Sequence, residues 1–276
     1  MRIVTVSGTP LTRSSSGSST VSVSGRVAVD GVDRSIVVTL RRMVTRPMGS
    51  ACQTPCQTPR VPTSPAPTDP VVVVLTGGAS RRMGSHKPTL DVGGRPLVVR
   101  VLAAAGPHPA LVVGPGQGVP AGVPVVMERV PGGGPVSGLA YAVEAVCAGV
   151  LRAARPDAVV VLAADLPFVT SGHVERLVSA LATADLAVTV GPEGRTNWLC
   201  AAWRTDALRR RLADIGEVGD AYGRSMRDLC DGVPRALVDD PDLVATDVDT
   251  PDDLDRARDR AQRADRDLPD SPPSPR

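Results

Sequence analysis

The sequence predicts an α/β fold built on a mostly parallel sheet, and three observations carry that expectation. Strand and helix signals alternate at short intervals from residue 71 onward, as in chains whose crossovers place helices on the faces of a sheet. Two runs, Val71-Val72-Val73-Val74-Leu75 and the stretch AVVVLA at 158–163, are continuously apolar and rich in β-branched residues, which suits strands buried on both faces. Several strand signals end in glycine-rich segments, as happens at the carboxyl edge of such a sheet.

Composition bounds the rest. The 276 residues are 42% hydrophobic, enough for one large α/β domain or two small ones. With two Trp, two Tyr and one Phe, the core has to be built from Val, Leu and Ala. A net charge of +2 gives no broad field to gather nucleic acid or an anionic membrane, so any affinity for phosphate must be local. The five cysteines, at 52, 56, 147, 200 and 230, form no CxxC pair and are read as reduced thiols of a cytoplasmic protein. No apolar run is long enough to span a bilayer, and the N-terminus lacks the apolar centre of a signal peptide.

Residues 1–69 stand apart. SSSGSST and the proline-rich QTPCQTPRVPTSPAPTDP bury too little apolar surface to offset the entropy of ordering. Val21 to Leu40 alternates in patches, enough for a lone hairpin, which is marginal by itself. The reading is a disordered or weakly structured extension, with translation from Met43 or Met48 as the alternative. The globular unit is expected over 70–264, followed by a disordered tail over 265–276.

The first strand, 71–75, runs into Thr76-Gly77-Gly78, where two glycines allow a sharp turn and close approach of backbone N–H groups to a ligand. Arg81, Arg82 and Lys87 follow within nine residues, so the loop suits a polyphosphate. Its spacing fits neither G-x-x-x-x-G-K-[ST] nor G-x-G-x-x-G. Asp91 to Arg95 is a turn, and Pro96 opens a helix carrying Leu97, Val98, Val101, Leu102 and Ala105, closed by Gly106-Pro107. Ala110–Val113 and Val123–Met127 are short strands, the latter leading to Glu128 and Arg129. Pro131 to Gly138 is a second glycine-rich loop opening a helix with Leu139, Val143, Val146 and Val150 on one face.

The strand at 158–163 ends in Asp165-Leu166-Pro167. A carboxylate there is costly unless something positive neutralises it, and a hard cation bound to a triphosphate fits, because Mg²⁺ takes one or two carboxylates plus phosphate oxygens. Val174, Leu177, Val178 and Leu181 mark an amphipathic helix. Leu186–Val190 and Asn197–Arg204 are strands, the second holding both tryptophans, one of them a candidate stacking surface and at least one a core residue. Thr205 is expected to cap a helix whose Arg209, Arg210 and Arg211 face solvent, while Arg224 and Arg227 are candidates for an anionic substrate. Near the end, Thr250 is a cap and Pro251 the first helical residue, with acids suited to the positive end of the dipole. That leaves Asp249 without a structural task.

Five motifs now stand in order: LTGGASRRMGSHK at 75–87, GGGPVSGL, the strand-end Asp165, WLCAAWR and DVDTPDDL. Together they resemble the molybdenum cofactor guanylyltransferases and their nucleotidyltransferase relatives over Val71 to about Ala264. That resemblance implies a three-layer Rossmann-like nucleotidyltransferase domain and a Mg²⁺-dependent transfer of GMP from GTP to molybdopterin with release of pyrophosphate. It assigns Leu75, Thr76, Gly77, Gly78, Lys87, Glu128, Gly134, Pro135, Gly138 and Asp165 to the nucleotide. Lys87, Arg81, Arg82 and Asp165 become the catalytic set, and Asp165 with Asp249 the metal ligands. Transient contact with other cofactor-biosynthesis proteins or molybdoenzymes is implied as well.

The chain departs from the family pattern at Thr76, where Ala is usual, at His86, where Asp is frequent, and at Arg129, where an acidic residue often helps recognise guanine. Competing readings are a cytidylyltransferase on molybdopterin, a nucleotidyltransferase on a sugar phosphate, isoprenoid phosphate or phospholactate, and a nucleotide-binding regulatory protein that has lost catalysis.

Overall fold

The valine run forms the centre of a sheet. In the computed structural model the described residues are 3–7, 20–29 and 32–41, as backbone, together with 65–77, 86–128, 131–151, 156–216 and 218–266. In chain order the strands are β1 (Ile3–Ser7), β2 (Thr20–Val29), β3 (Val32–Arg41), β4 (Pro70–Leu75), β5 (Asp91–Val92), β6 (Arg95–Pro96), β7 (Ala110–Val113), β8 (Val125–Val126), β9 (Ala158–Ala163), β10 (Leu186–Val190), β11 (Thr196–Arg204) and β12 (Arg235–Asp239). The α-helices are α1 (Leu97–Ala103), α2 (Gly134–Cys147), α3 (Ser171–Ala180), α4 (Thr205–Ile215), α5 (Met226–Cys230) and α6 (Pro251–Arg266).

The main sheet runs β12-β10-β11-β9-β4-β7-β8, with β11 antiparallel to both its neighbours and every other pair parallel. This is the mostly parallel α/β sheet that the alternation of signals predicts. Its centre is β4 against β9, paired from Pro70↔Ala158 to Leu75↔Ala163, and both strands are buried along their whole length. Side chains alternate across a strand, so Val71, Val73 and Leu75 pack with α2, α4 and α5, while Val72 and Val74 pack with α1 and α3. The uninterrupted valine run follows from that double burial, since neither face of β4 can carry a polar residue. α6 closes a smaller cluster, in which Leu254, Ala257 and Ala261 pack on Val92, Leu97 and Val248.

Several local expectations are revised. The turn expected at Asp91 to Arg95 is present at Gly93-Gly94 and joins a two-stranded ribbon, with Asp91 paired to Pro96 and Val92 to Arg95. Thr205 does not cap α4 but is its first residue; Arg204 stands at the cap position, and the Thr205 hydroxyl is buried without a hydrogen-bond partner. Arg211 is not a solvated residue: it is half-buried and donates to the carbonyls of Leu229 and Asp231, closing the end of α5, whereas Arg209 and Arg210 are exposed. β12, whose residues carry only a weak strand signal, is an edge strand with regular inward–outward alternation in which Leu237 falls on the outward side, 63% exposed. Of residues 1–69, the described part includes an antiparallel hairpin of β2 and β3, joined through β1 to β8 by parallel pairing of Ile3 with Val125.

Among the described residues no helix is long and apolar enough to cross a membrane.

Candidate active site

The carboxyl ends of β4 and β9 lie side by side, and the chain that leaves them builds the site. Ala164 N–H donates to Leu75 O, so the two departures are locked together at the point where the strands end. Thr76, the unusual residue of the first loop, is buried, and its hydroxyl lies 3.0 Å from Val113 O and 2.9 Å from Pro115 O. The extra oxygen thus ties the base of the loop to the end of β7. Gly78, Arg81 and Arg82 lie outside the described residues.

Lys87 enters at the start of a single 3₁₀ turn, Lys87–Thr89, whose Pro88 is buried. His86 stands just before it; its Nε2 is buried and finds no hydrogen-bond partner. Opposite, Asp165 follows β9, and its own carbonyl accepts from Val248 N–H, which draws the 247–249 stretch to the strand end. Asp253 then holds that stretch from the helix side: one carboxylate oxygen accepts from Thr250 N–H, Thr250 Oγ1–H and Asp249 N–H, while Thr250 Oγ1 accepts from Asp253 N–H. Thr250 is therefore the cap the sequence predicts, and the reciprocal bonds make it rigid. Arg100 braces the other side by donating to Pro167 O and Val92 O.

This scaffolding brings Lys87, Asp165 and Asp249 into one cluster. Lys87 Nζ lies 2.7 Å from Asp165 Oδ2 and 2.6 Å from Asp249 Oδ1. Burial by itself would lower the lysine pKa, but the charges and hydrogen bonds of Asp165 and Asp249 outweigh it and hold the ammonium above its ordinary range. The hydrogen bond from Lys87 holds the Asp249 carboxyl below the usual carboxylate value. Asp247, which sequence reasoning passed over, sits beside them; burial first, then the charges of Asp249 and Asp165, push its pKa up. The repeated D-x-D of 247–249 was the available signal.

A second wall is built around Glu128. Its carboxylate accepts from Gly132 and Gly133 N–H, and burial nevertheless raises its pKa. Gly138 sits against it: a Cβ there would come within 2.9 Å of Glu128 Oε1 and 3.6 Å of both Leu75 Cδ2 and Val113 Cγ1. Leu75, Glu128 and Gly138 therefore form one surface, and Gly134 and Pro135 open α2 beside it. The glycine loop is clamped from outside as well, because Gly223 N–H donates to Gly133 O at 2.7 Å, and Tyr222, 55% exposed, lies over Gly133. Tyr222 was not singled out by sequence. Arg224 and Arg227 are exposed.

The tryptophans separate. Trp203 is fully buried in the core beneath α4, and half-buried Trp198 carries the Arg235 guanidinium 5.2 Å from its ring centre.

Chemically, the Asp165 and Asp249 oxygens converge on one position that already holds a cation. Among the described residues no group of three His, Cys, Asp or Glu is placed to hold a metal. Two carboxylates with no third ligand suit a cation that completes its shell from substrate phosphates and water, as Mg²⁺ does, and do not suit a closed structural site.

Residues 72–235 match the MobA-like NTP transferase domain family. A molybdenum cofactor guanylyltransferase of Rhodobacter capsulatus is 33% identical over 199 residues, covering 69% of this chain and 96% of the relative. A probable molybdenum cofactor guanylyltransferase of Mycobacterium bovis is 31% identical over 178 residues, covering 62% and 86% respectively. Among solved structures, the molybdopterin-guanine dinucleotide biosynthesis protein A of Archaeoglobus fulgidus shares the fold, with a TM-score of 0.56 at 21% identity over 70% of this chain and 99% of that one. The buried β4–β9 pair, the loops at its carboxyl edge and these matches lead to one conclusion: the chain is a nucleotidyltransferase of the molybdenum cofactor guanylyltransferase family.

Proposed function

We propose that this protein transfers GMP from GTP to the phosphate of molybdopterin and releases pyrophosphate, through a unit spanning residues 70–264. The observation that carries the reading is the convergence of Asp165 and Asp249 on Lys87 at the carboxyl edge of β4 and β9, with the lysine nitrogen 2.7 Å from the first carboxylate and 2.6 Å from the second. The setting is the cytoplasm, and the protein hands its product on through transient contact with other cofactor-biosynthesis proteins or molybdoenzymes.

The attacking phosphate oxygen of the acceptor is already ionised at neutral pH, so the chain has no proton to remove. The new bond forms between that oxygen and the α-phosphorus of GTP, and the bond from the α-phosphorus to the bridging oxygen breaks, with its electron pair leaving on pyrophosphate. The residues supply placement and charge. Gly77 and Gly78 offer backbone N–H groups to the triphosphate, and Lys87 reaches the β- and γ-phosphates. Arg81 and Arg82 meet the charge that builds up on the departing pyrophosphate. Leu75, Thr76, Glu128, Gly134, Pro135 and Gly138 shape the seat for base and ribose. Asp165 and Asp249 are the residues that would hold Mg²⁺, which when bound neutralises charge on the α-phosphate.

The test is pyrophosphate release from GTP and from CTP, with Mg²⁺ and molybdopterin, by the native chain and by Lys87→Ala and Asp165→Ala. GTP-dependent release should fall by about 100-fold or more in each variant. Undiminished release in both would remove the site assignment, and preference for CTP would remove the guanine assignment.

A further inference from the structure

Lys87 holds the place that the metal reading gives to a divalent ion. Its Nζ bridges Asp165 Oδ2 at 2.7 Å and Asp249 Oδ1 at 2.6 Å. A Mg²⁺ ion sits about 2.0–2.1 Å from carboxylate oxygens. An ion at that distance from the same two oxygens would be pressed against the ammonium, and two cations in one gap repel. The lysine side chain is 14% exposed, against 24% for Asp165 and 56% for Asp249, so an ion arriving from solvent meets the carboxylates from their open side.

Charge counting points the same way. Two carboxylates and one ammonium leave the cluster at −1. A divalent ion in place of the ammonium brings the pair to zero. The ammonium sits at the end of a four-carbon stem with three rotatable donors, so it can swing without moving the turn at Lys87–Thr89. A released lysine needs a new anion, and a triphosphate provides one within reach of the same stem.

We propose that Lys87 is an exchangeable counter-ion: it holds Asp165 and Asp249 together in the empty protein and yields them to a divalent cation only when a nucleoside triphosphate is there to receive its ammonium. This rests on Asp165 and Asp249 being the metal ligands. Its consequence is coupling. Metal alone binds weakly, because the competent carboxylates are free only in the fraction of molecules whose lysine has swung away, and the apparent affinity falls by that fraction. Metal and triphosphate together bind well.

The experiment uses the full chain and Mn²⁺, with free Mn²⁺ read by electron paramagnetic resonance, in the presence and absence of a non-hydrolysable GTP analogue. For the native chain, Mn²⁺ affinity should rise at least about tenfold when the analogue is added. For Lys87→Met without nucleotide, Mn²⁺ should bind at least about tenfold more tightly than to the native chain, and the further gain brought by the analogue should be smaller than in the native chain by about the same factor. Lys87→Gln, which keeps hydrogen-bonding groups but no charge, should behave like Lys87→Met, and thermal melts of both report folding. Unchanged or weaker Mn²⁺ binding by both folded lysine variants, together with loss of Mn²⁺ binding in Asp165→Asn, would overturn the exchange and leave the metal site standing. Unchanged Mn²⁺ binding in Asp165→Asn would overturn the metal site, and the exchange with it.

Discussion

Replacing Gly114 by alanine should cost this fold more than any change of one methyl group in an open loop, and the excess measures how tightly the first glycine loop is seated. Gly114 follows β7 with φ +108°, a backbone conformation that L residues rarely adopt. A Cβ placed on it would lie 2.8 Å from Gly77 N and 2.8 Å from Thr76 Oγ1. Those are the backbone and the anchoring hydroxyl of the first glycine loop, so the clash cannot be relieved by rotating the end of a flexible side chain. Gly122 supplies the control, with φ +93° and nothing within 4 Å of its Cβ position. Both variants incur about 1–3 kcal/mol of backbone strain. Gly114→Ala adds overpacking of about 1–3 kcal/mol. In a domain of this size that lowers the melting temperature by roughly 2–4 °C for each added kcal/mol.

Denaturant titration and calorimetry of the pair measure the difference, and isothermal titration with GTP measures what happens to the loop. The expected result is lower stability and weaker nucleotide binding for Gly114→Ala than for Gly122→Ala. Equal stability and equal GTP affinity would refute the close approach of Gly114 to the loop.

Three further outcomes are expected. Thr76→Val should lose about 1–2 kcal/mol by removing the hydroxyl that meets Val113 O and Pro115 O, whereas Thr76→Ser should keep most of it; urea titration separates them. Trp203→Ala should cost about 3–5 kcal/mol in the same assay and Trp198→Ala clearly less, because only Trp203 is fully enclosed. His173 should make the protein acid-sensitive. Its Nε2–H donates to the Thr189 hydroxyl, whose own proton goes to Cys200 O, and its Nδ1 accepts from Arg176, so the ring is held neutral. Burial first, and then the charge of Arg176, lower its pKa, with Asp240 opposing. A lowered folded pKa means that the unfolded chain takes up the proton more readily. The stabilisation is present above about pH 6.5 and is lost as pH falls toward the folded value. The stability difference between the native chain and His173→Leu should therefore shrink between about pH 7.5 and 5.5; a constant difference would count against the buried neutral ring.

Much of this architecture is legible along the chain, because its signals are local. A strand buried on both faces must be apolar at every position, so β4 and β9 declare themselves as valine runs. The cap at Thr250 is legible for the same reason, since its partners lie within four residues. Lys87, Asp165 and Asp249 were each identifiable from the motif around them. β12 was not legible: Arg-Ala-Leu-Val-Asp is a weak strand signal, and its pairing with β10 compensates for it only in the folded molecule. Arg211 reads as one of three solvated arginines because nothing in its own helix shows that the end of α5 packs against it. The two tryptophans cannot be told apart by composition: both pack on the same core cluster, and only the folded molecule encloses Trp203 within it and leaves Trp198 half-buried at its margin.

By itself, then, the sequence determined the buried central strands, where the chain turns at glycine and which residues carry charge, since each depends on neighbours a few positions away. The tertiary structure alone decided that Lys87 meets Asp165 across 78 residues and Asp249 across 162. That meeting depends on the pairing of β4 with β9 and on the Val248 bond to Asp165. Contacts so distant in sequence leave no periodicity to read, because what brings them together is the packing of the whole sheet.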